Sequence, residues 1–221
     1  MADLLPRSFY DRPTLTVAES LLGKVLVHRT AEAVTAGSIV EVEAYIGEDD
    51  PACHAAPGPT ARNQPLYGPP GYAYVYLNYG IHFLFNVVTE AESRPAAVLV
   101  RALEPCDGLD VMRRRREGDR KGRTIPDCEL CRGPGSLAKA MGITLADNRT
   151  DLCGSRLFVE DRGLVVPSVS WSARIGISVG VERRWRAFVA GSAAVSGTRV
   201  KPSAVGSRRS AISSSTPKKK R

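Results

Sequence analysis

The segment Ile39-Val40-Glu41-Val42-Glu43-Ala44-Tyr45-Ile46 carries the clearest strand pattern in the chain. Its side chains alternate with the period of a β-strand. Val40, Val42, Ala44 and Ile46 form an apolar face, and Ile39, Glu41, Glu43 and Tyr45 form the other. Neighbours on one face of a strand stand ~7 Å apart. A single apolar face marks a strand that covers a core on one side, as in antiparallel sheets. The other face fits two readings. It is a solvated outer surface, or it sets a catalytic carboxylate beside a stacking ring.

The next stretch outward is Gly71-Tyr72-Ala73-Tyr74-Val75-Tyr76-Leu77-Asn78-Tyr79-Gly80, which holds four of the seven tyrosines. Alternation puts Tyr72, Tyr74 and Tyr76 on one strand face. Asn78-Tyr79-Gly80 reads as a tight turn, since glycine accepts the positive φ of a hairpin tip, and this pushes Tyr79 outward. Exposed rings stack on bases or wedge into base steps.

Further strands are expected at Lys24–His28, Tyr72–Asn78, Ile81–Val88, Ala97–Leu103, Leu157–Glu160, Arg174–Ser178 and Arg186–Ala190. A first helix is expected with Asp11 as cap, Pro13 in its first turn, Leu15, Ala18 and Leu22 on one face, and Gly23 at its end. Others are expected over Gly108–Arg116 and between Pro134 and Gly142. Strands outnumber helices and hairpins connect them. The expected class is mixed α+β: one compact domain around a largely antiparallel, curved sheet. The long loops at 47–71 and 117–132 are candidates for function.

The chain has 221 residues, 43% of them apolar, which suits one folded domain. Eight of the 31 basic residues lie from Thr198 to Arg221, so 23 remain against 23 acidic ones and residues 1–197 are neutral. The net charge of +8 belongs to the end of the chain. That segment, 198–221, is Ser-rich and poor in large apolar residues, and is expected to be a disordered basic tail that meets an anionic polymer. Five cysteines, an odd number, suit a reducing compartment better than a disulfide framework. No stretch approaches the ~18 apolar residues of a membrane span. Met1–Pro6 lacks the basic start of a secretory leader.

Several ordered motifs together resemble the alkyladenine (3-methyladenine) DNA glycosylase family. They are Leu5-Pro6-Arg7-Ser8-Phe9-Tyr10, Glu41–Gly47 with His54, Thr60-Ala61-Arg62-Asn63, Tyr74–Gly80, Asn86, Val100–Pro105, Gly133-Pro134 and Ala173-Arg174-Ile175-Gly176. They span roughly residues 5–195, and the tail stands outside them. The resemblance implies an enzyme that flips an alkylated or deaminated purine out of duplex DNA and hydrolyses its N-glycosidic bond. It implies Glu43 as the base that activates water and Arg101 as a residue holding water or phosphate. It implies Tyr45 and Tyr76 stacking on the flipped base, His54 hydrogen-bonding near base and sugar, and Asn86 bordering the minor-groove edge. Tyr79 matches the wedge that fills the gap in the duplex. Glu41 either raises the pKa of Glu43, helps place a backbone group, or is an exposed neighbour, and it is not counted as catalytic.

The implied partner is damaged duplex DNA, met by a monomer with no cofactor, metal or membrane. Action in the cytoplasm at the nucleoid is expected of a bacterial protein, and in the nucleus of a eukaryotic one. Lys24, Lys121 and Lys139 are the lysines before the tail and lie outside these motifs, so a Schiff base with the sugar is not expected. Cys128 and Cys131 form a lone CxxC with no second pair at zinc spacing. Arg113–Arg116 either touch phosphate or end a solvated helix. Two rival functions remain: a non-catalytic nucleic-acid-binding module, and a carbohydrate hydrolase using Glu41 and Glu43.

Overall fold

The longest strand, Val34–Ile46, has a partner along both edges, and the other elements are arranged around it. The computed structural model describes residues 3–117, 119 and 124–197. In chain order its elements are β1 (Asp3–Leu4), α1 (Arg7–Tyr10), α2 (Thr14–Leu21), β2 (Val25–Arg29), β3 (Val34–Ile46), β4 (Ala73–Asn78), β5 (His82–Val88), β6 (Ala96–Asp107), α3 (Leu109–Arg116), α4 (Asp127–Leu130), α5 (Pro134–Met141), β7 (Leu157–Asp161), β8 (Val169–Ser172) and β9 (Arg186–Val189), with short 3-10 turns at Gln64–Tyr67 and Leu145–Asp147. The strands form one sheet in the order β1-β7-β2-β3-β6-β5-β4. Every pairing in it is antiparallel. The class is mixed α+β, as the patterning implies.

β3 is paired by β6 along one edge. On its other edge Val34–Ser38 pair with β2, and Glu41–Glu43 pair with β9. Register shifts on either side of Glu41 leave Val40 on β3 and Arg101 on β6 without a direct partner. Such bulges re-aim side chains, and here they overturn part of the expected alternation. Ile39 joins Val42 and Ala44 in the main core. Val40 packs instead with Ala102, Ala194 and Val195. The carboxylate face is not solvated: Glu41 and Glu43 are fully buried.

The main core lies where α2, α3 and α5 meet the sheet. Val17, Leu21, Met112, Leu137 and Met141 pack there with Val42, Val75, Phe85, Val98 and Val100. Each such side chain contributes roughly 1.5–3 kcal/mol when removed from water. α5 begins at Pro134, and Gly142 just beyond Met141, with φ of 74°, supplies the left-handed C-cap.

Two expected elements differ. Asp11 does not cap α2. Pro13 stands at the N-cap, and Glu90 accepts hydrogen bonds from the Thr14 amide at 3.2 Å and the Thr14 hydroxyl at 2.5 Å. A cap reaching in from 76 residues away leaves no local signal. Residues 174–178 are a loop rather than a strand; the strand before them is β8. The loop at 47–71 is tied to itself by Asn63, whose Nδ2 donates to the carbonyls of His54 (2.7 Å) and Gly58 (2.8 Å). The expected tail, 198–221, lies outside the described residues, as does Lys121. Among the described residues, no helix is long and apolar enough to cross a membrane.

Candidate active site

The β4–β5 hairpin closes with Asn78 paired to His82, and the Asn78 carbonyl accepts from the Ile81 amide at 3.0 Å. In the turn from Asn78 to Ile81 the two central residues have positive φ, Tyr79 at 49° and Gly80 at 70°. These signs define the type I′ turn that suits the twist of a two-stranded ribbon. Gly80 adopts this backbone freely, whereas Tyr79 does so under strain, a trait of functional positions. Tyr79 is 88% exposed, at the mouth of a cavity.

That cavity has a volume of about 460 Å³. Tyr45, His54, Tyr76, Asn86, Arg101 and Tyr79 all line it, so six of the seven expected site residues converge on one pocket. Tyr72 does not join them. Its ring lies under the Arg7 guanidinium at 4.6 Å, and its backbone bridges to Asp151.

Glu43, the seventh, is one layer behind the wall. Its Oε2 accepts from the Tyr45 hydroxyl at 2.9 Å and from Arg101 Nη1 at 3.1 Å. Its Oε1 accepts from the Ile175 amide at 2.7 Å. These three donors belong to residues that line the pocket. A carboxylate oxygen has two lone pairs, so Oε1 keeps acceptor capacity. Burial pushes the Glu43 carboxyl above the usual range, and Glu41 adds to this. Arg101, the Ile175 amide and the Tyr45 hydroxyl act in the opposite direction. A buried carboxyl with raised basicity at a pocket wall is suited to accept a proton.

The aromatic residues form a connected set. His54 Nδ1 lies 2.8 Å from the Tyr74 hydroxyl, and its ring meets Tyr76 edge-on at 4.5 Å. Burial, then the nearby Arg62 charge, lowers the His54 pKa, which favours the neutral ring. Burial raises Tyr76 to about 12. The Arg62 guanidinium stands 5.7 Å from the Tyr76 ring. Asn86 Nδ2 donates to the Tyr74 carbonyl at 3.0 Å, which fixes the amide in the wall.

Residues with no role assigned from sequence complete the support. Arg174 and Asp50 are fully buried and joined at 2.5 and 2.8 Å. Burial opposes ionisation of Asp50, but the Arg174 hydrogen bonds and charge more than offset it and hold its pKa below the usual range. Arg174 also donates to the Ala44 carbonyl at 3.1 Å and lies 4.7 Å from the Tyr45 ring. The pair therefore anchors both Tyr45 and the loop that carries the Ile175 amide. Reading 174–178 as a strand hid this.

The basic run Arg113–Arg116 and the pair Cys128 and Cys131 do not line the pocket. Arg113 pairs with Asp110 and Asp127, Arg114 and Arg115 with Glu32, and Arg116 with Asp119. Cys131 is buried against Met112, while Cys128 is partly buried. Among the described residues, no group of three or more His, Cys, Asp or Glu is placed to hold a metal.

The site is thus a buried carboxylate behind an aromatic pocket, with an exposed tyrosine at its mouth. Comparison with known proteins makes the class definite: DNA glycosylases, hydrolases of N-glycosyl bonds. The family model described as methylpurine-DNA glycosylase matches residues 8–193. A protein of Methanocella arvoryzae is 49% identical over 197 residues, covering 87% of this chain and 96% of its own. One of Chlorobium phaeobacteroides is 46% identical over 197 residues, covering 88% and 96%. One of Salinibacter ruber is 48% identical over 204 residues, covering 87% and 96%. Each bears the name "Putative 3-methyladenine DNA glycosylase". The chain belongs to the methylpurine-DNA glycosylase family.

Proposed function

We propose that this glycosylase takes a flipped alkylated or deaminated purine into the pocket between β3, β4 and β5 and removes it with a water activated by Glu43. The observation that carries this is the Glu43 carboxylate, buried yet joined to the pocket by Tyr45, Arg101 and Ile175. Water attacks the sugar C1′ and passes a proton to Glu43. The C1′–N bond breaks and its electron pair leaves with the base. The carboxylate also stabilises the positive charge that develops on the sugar. Tyr45 and Tyr76 offer stacking faces, His54 offers Nε2 as a polar contact, and Arg101 steadies water or phosphate. Tyr79 fills the space the base vacates. The protein acts as a monomer, in the compartment that holds the DNA.

Two observations favour simple hydrolysis without strand cleavage. Lys24 and Lys139 are ion-paired with Asp161 and Asp119 and do not line the pocket. A Schiff base needs a free amine at the sugar. A carbohydrate hydrolase using Glu41 and Glu43 as its pair is disfavoured, because Glu41 does not line the pocket and is enclosed by Arg101, Arg186 and Ser196. The test is incubation with duplexes carrying one lesion each. Free damaged base and an uncut abasic strand are expected; no base release from any lesion would favour a binding module.

Asn86 is the proposed gate against normal guanine. Guanine carries a minor-groove amino group that adenine and hypoxanthine lack. Pinned to the Tyr74 carbonyl, the Asn86 amide cannot retreat from that group, and a clash is enough for rejection. Asn86→Ser should raise guanine release relative to hypoxanthine release in matched duplexes. An unchanged ratio in the folded variant would assign discrimination elsewhere.

A further inference from the structure

Glu41 lies outside the pocket wall and has no part in the reaction described above, yet it is fully buried and heavily bonded. Its Oε1 accepts from Arg101 Nε at 2.9 Å, Arg186 Nε at 2.7 Å and the Ser196 hydroxyl at 2.9 Å. Its Oε2 accepts from the Ser196 amide at 2.6 Å. Arg186 is held in turn by the Ser196 carbonyl at 2.9 Å and the Ser172 hydroxyl at 2.9 Å. A site so enclosed has no room for substrate.

Arg101 shows what this arrangement does. A guanidinium beside a carboxylate favours the two-pronged contact, in which two N–H groups grip both oxygens. Arg101 does not grip Glu43 in this way. Its Nε goes to Glu41, its Nη1 to Glu43 at 3.1 Å, and its Nη2 to the Ser196 hydroxyl at 3.2 Å. Glu43 therefore receives one prong of the fork. The two register shifts flanking Glu41 make this possible, because they leave both Glu41 and Arg101 on the carboxylate side of β3 and β6.

We propose that Glu41 is a positioning residue that holds Arg101 by its Nε and so prevents the guanidinium from closing on Glu43 and quenching it as a base. This rests on the reading of Glu43 as the residue that activates water. Charge balance agrees with it: Glu41 and Glu43 face Arg101 and Arg186, so two anions share two cations. If Glu41 were neutral, the full field of Arg101 would fall on Glu43. The groups that set the Glu43 proton affinity are then Arg101 from β6, Glu41 and Tyr45 from β3, Tyr76 from β4, the Ile175 amide and Arg174 from the loop after β8, and Arg186 from β9 across Glu41.

The experiment is single-turnover base release across pH for wild type, Glu41→Gln, Glu41→Asp and Glu43→Gln, with lesion-duplex binding measured in parallel. Glu41→Gln removes a charge that raises Glu43 and frees Arg101 to close on it, so the acid limb of the rate should move to lower pH. The plateau rate should fall roughly 10- to 100-fold while binding is kept. Glu41→Asp withdraws the carboxylate from Nε but keeps its charge, so the same downward shift is expected, but smaller; it decides the matter if the Gln variant does not fold. A slower rate with the limb unmoved in the folded variants would show a structural role only and overturn the proposal. Full activity of Glu43→Gln would instead overturn the reading of Glu43, a separate result.

Discussion

Glu43→Gln is expected to release damaged base at least ~100-fold more slowly than wild type in single turnover, the scale of losing a general base. The amide keeps the size of the side chain, and its oxygen can still accept from the Ile175 amide or from Arg101. It cannot take the proton of the attacking water. Tyr45, His54, Tyr76 and Asn86 remain in the pocket wall, so binding to lesion duplex should persist. Rates and binding measured on the same preparation separate chemistry from recognition. Near-normal release would remove Glu43 from the mechanism.

Arg174→Met is expected to have the largest effect on stability. Arg174 and Asp50 are fully buried and share two hydrogen bonds. Removing one member of such a pair leaves a buried charge without its counter-ion, at a typical cost of about 3–5 kcal/mol. The Asp50 carboxylate would keep the Ala52 amide at 3.2 Å, the Ile46 amide at 3.4 Å and the partly buried Arg183 at 3.8 Å, too little to replace a buried guanidinium. Denaturant unfolding should show a lower midpoint with an unchanged slope. Base release should also slow, because the Ile175 amide and the Tyr45 ring lose their anchor. A midpoint within experimental error of wild type would show that the pair does not hold the loop.

Much of this site is legible in the chain because it is built on strands. Alternation on β3 places Glu43 and Tyr45 on one side, and the Tyr45 hydroxyl does reach Glu43. The Asn78-Tyr79-Gly80 turn is equally local, since its backbone is dictated by one glycine and the pairing on either side. The bulges at Val40 and Arg101 are different. They depend on how β3 and β6 pair across the sheet, so period-two reading puts Ile39 on the wrong face. The cap on α2 comes from Glu90, and the Glu43 amide contact from Ile175, 132 residues on. Neither has a local signature. Arg174 stands in one of the family motifs and Arg186 at the start of an expected strand, but only the fold shows that both are buried against acids. The burial of Glu41 and Glu43 has no signal in the alternation either, because Glu41 is enclosed by Arg186 and Ser196 and Glu43 meets the loop at Ile175, all far along the chain.

On the proposed mechanism an ionised, unusually basic Glu43 drives hydrolysis. The most direct measurement is the wild-type rate of damaged-base release in single turnover as a function of pH. Burial raises the Glu43 pKa in the folded protein, so the active, ionised form is lost as pH falls through that raised value. The rate should climb with pH to a plateau, with a midpoint above the ~4.3 of an ordinary glutamate. The acid limb should be absent from whatever slow release Glu43→Gln retains. A wild-type rate that stays flat or rises as the solution is acidified would contradict the assignment of Glu43 as the base.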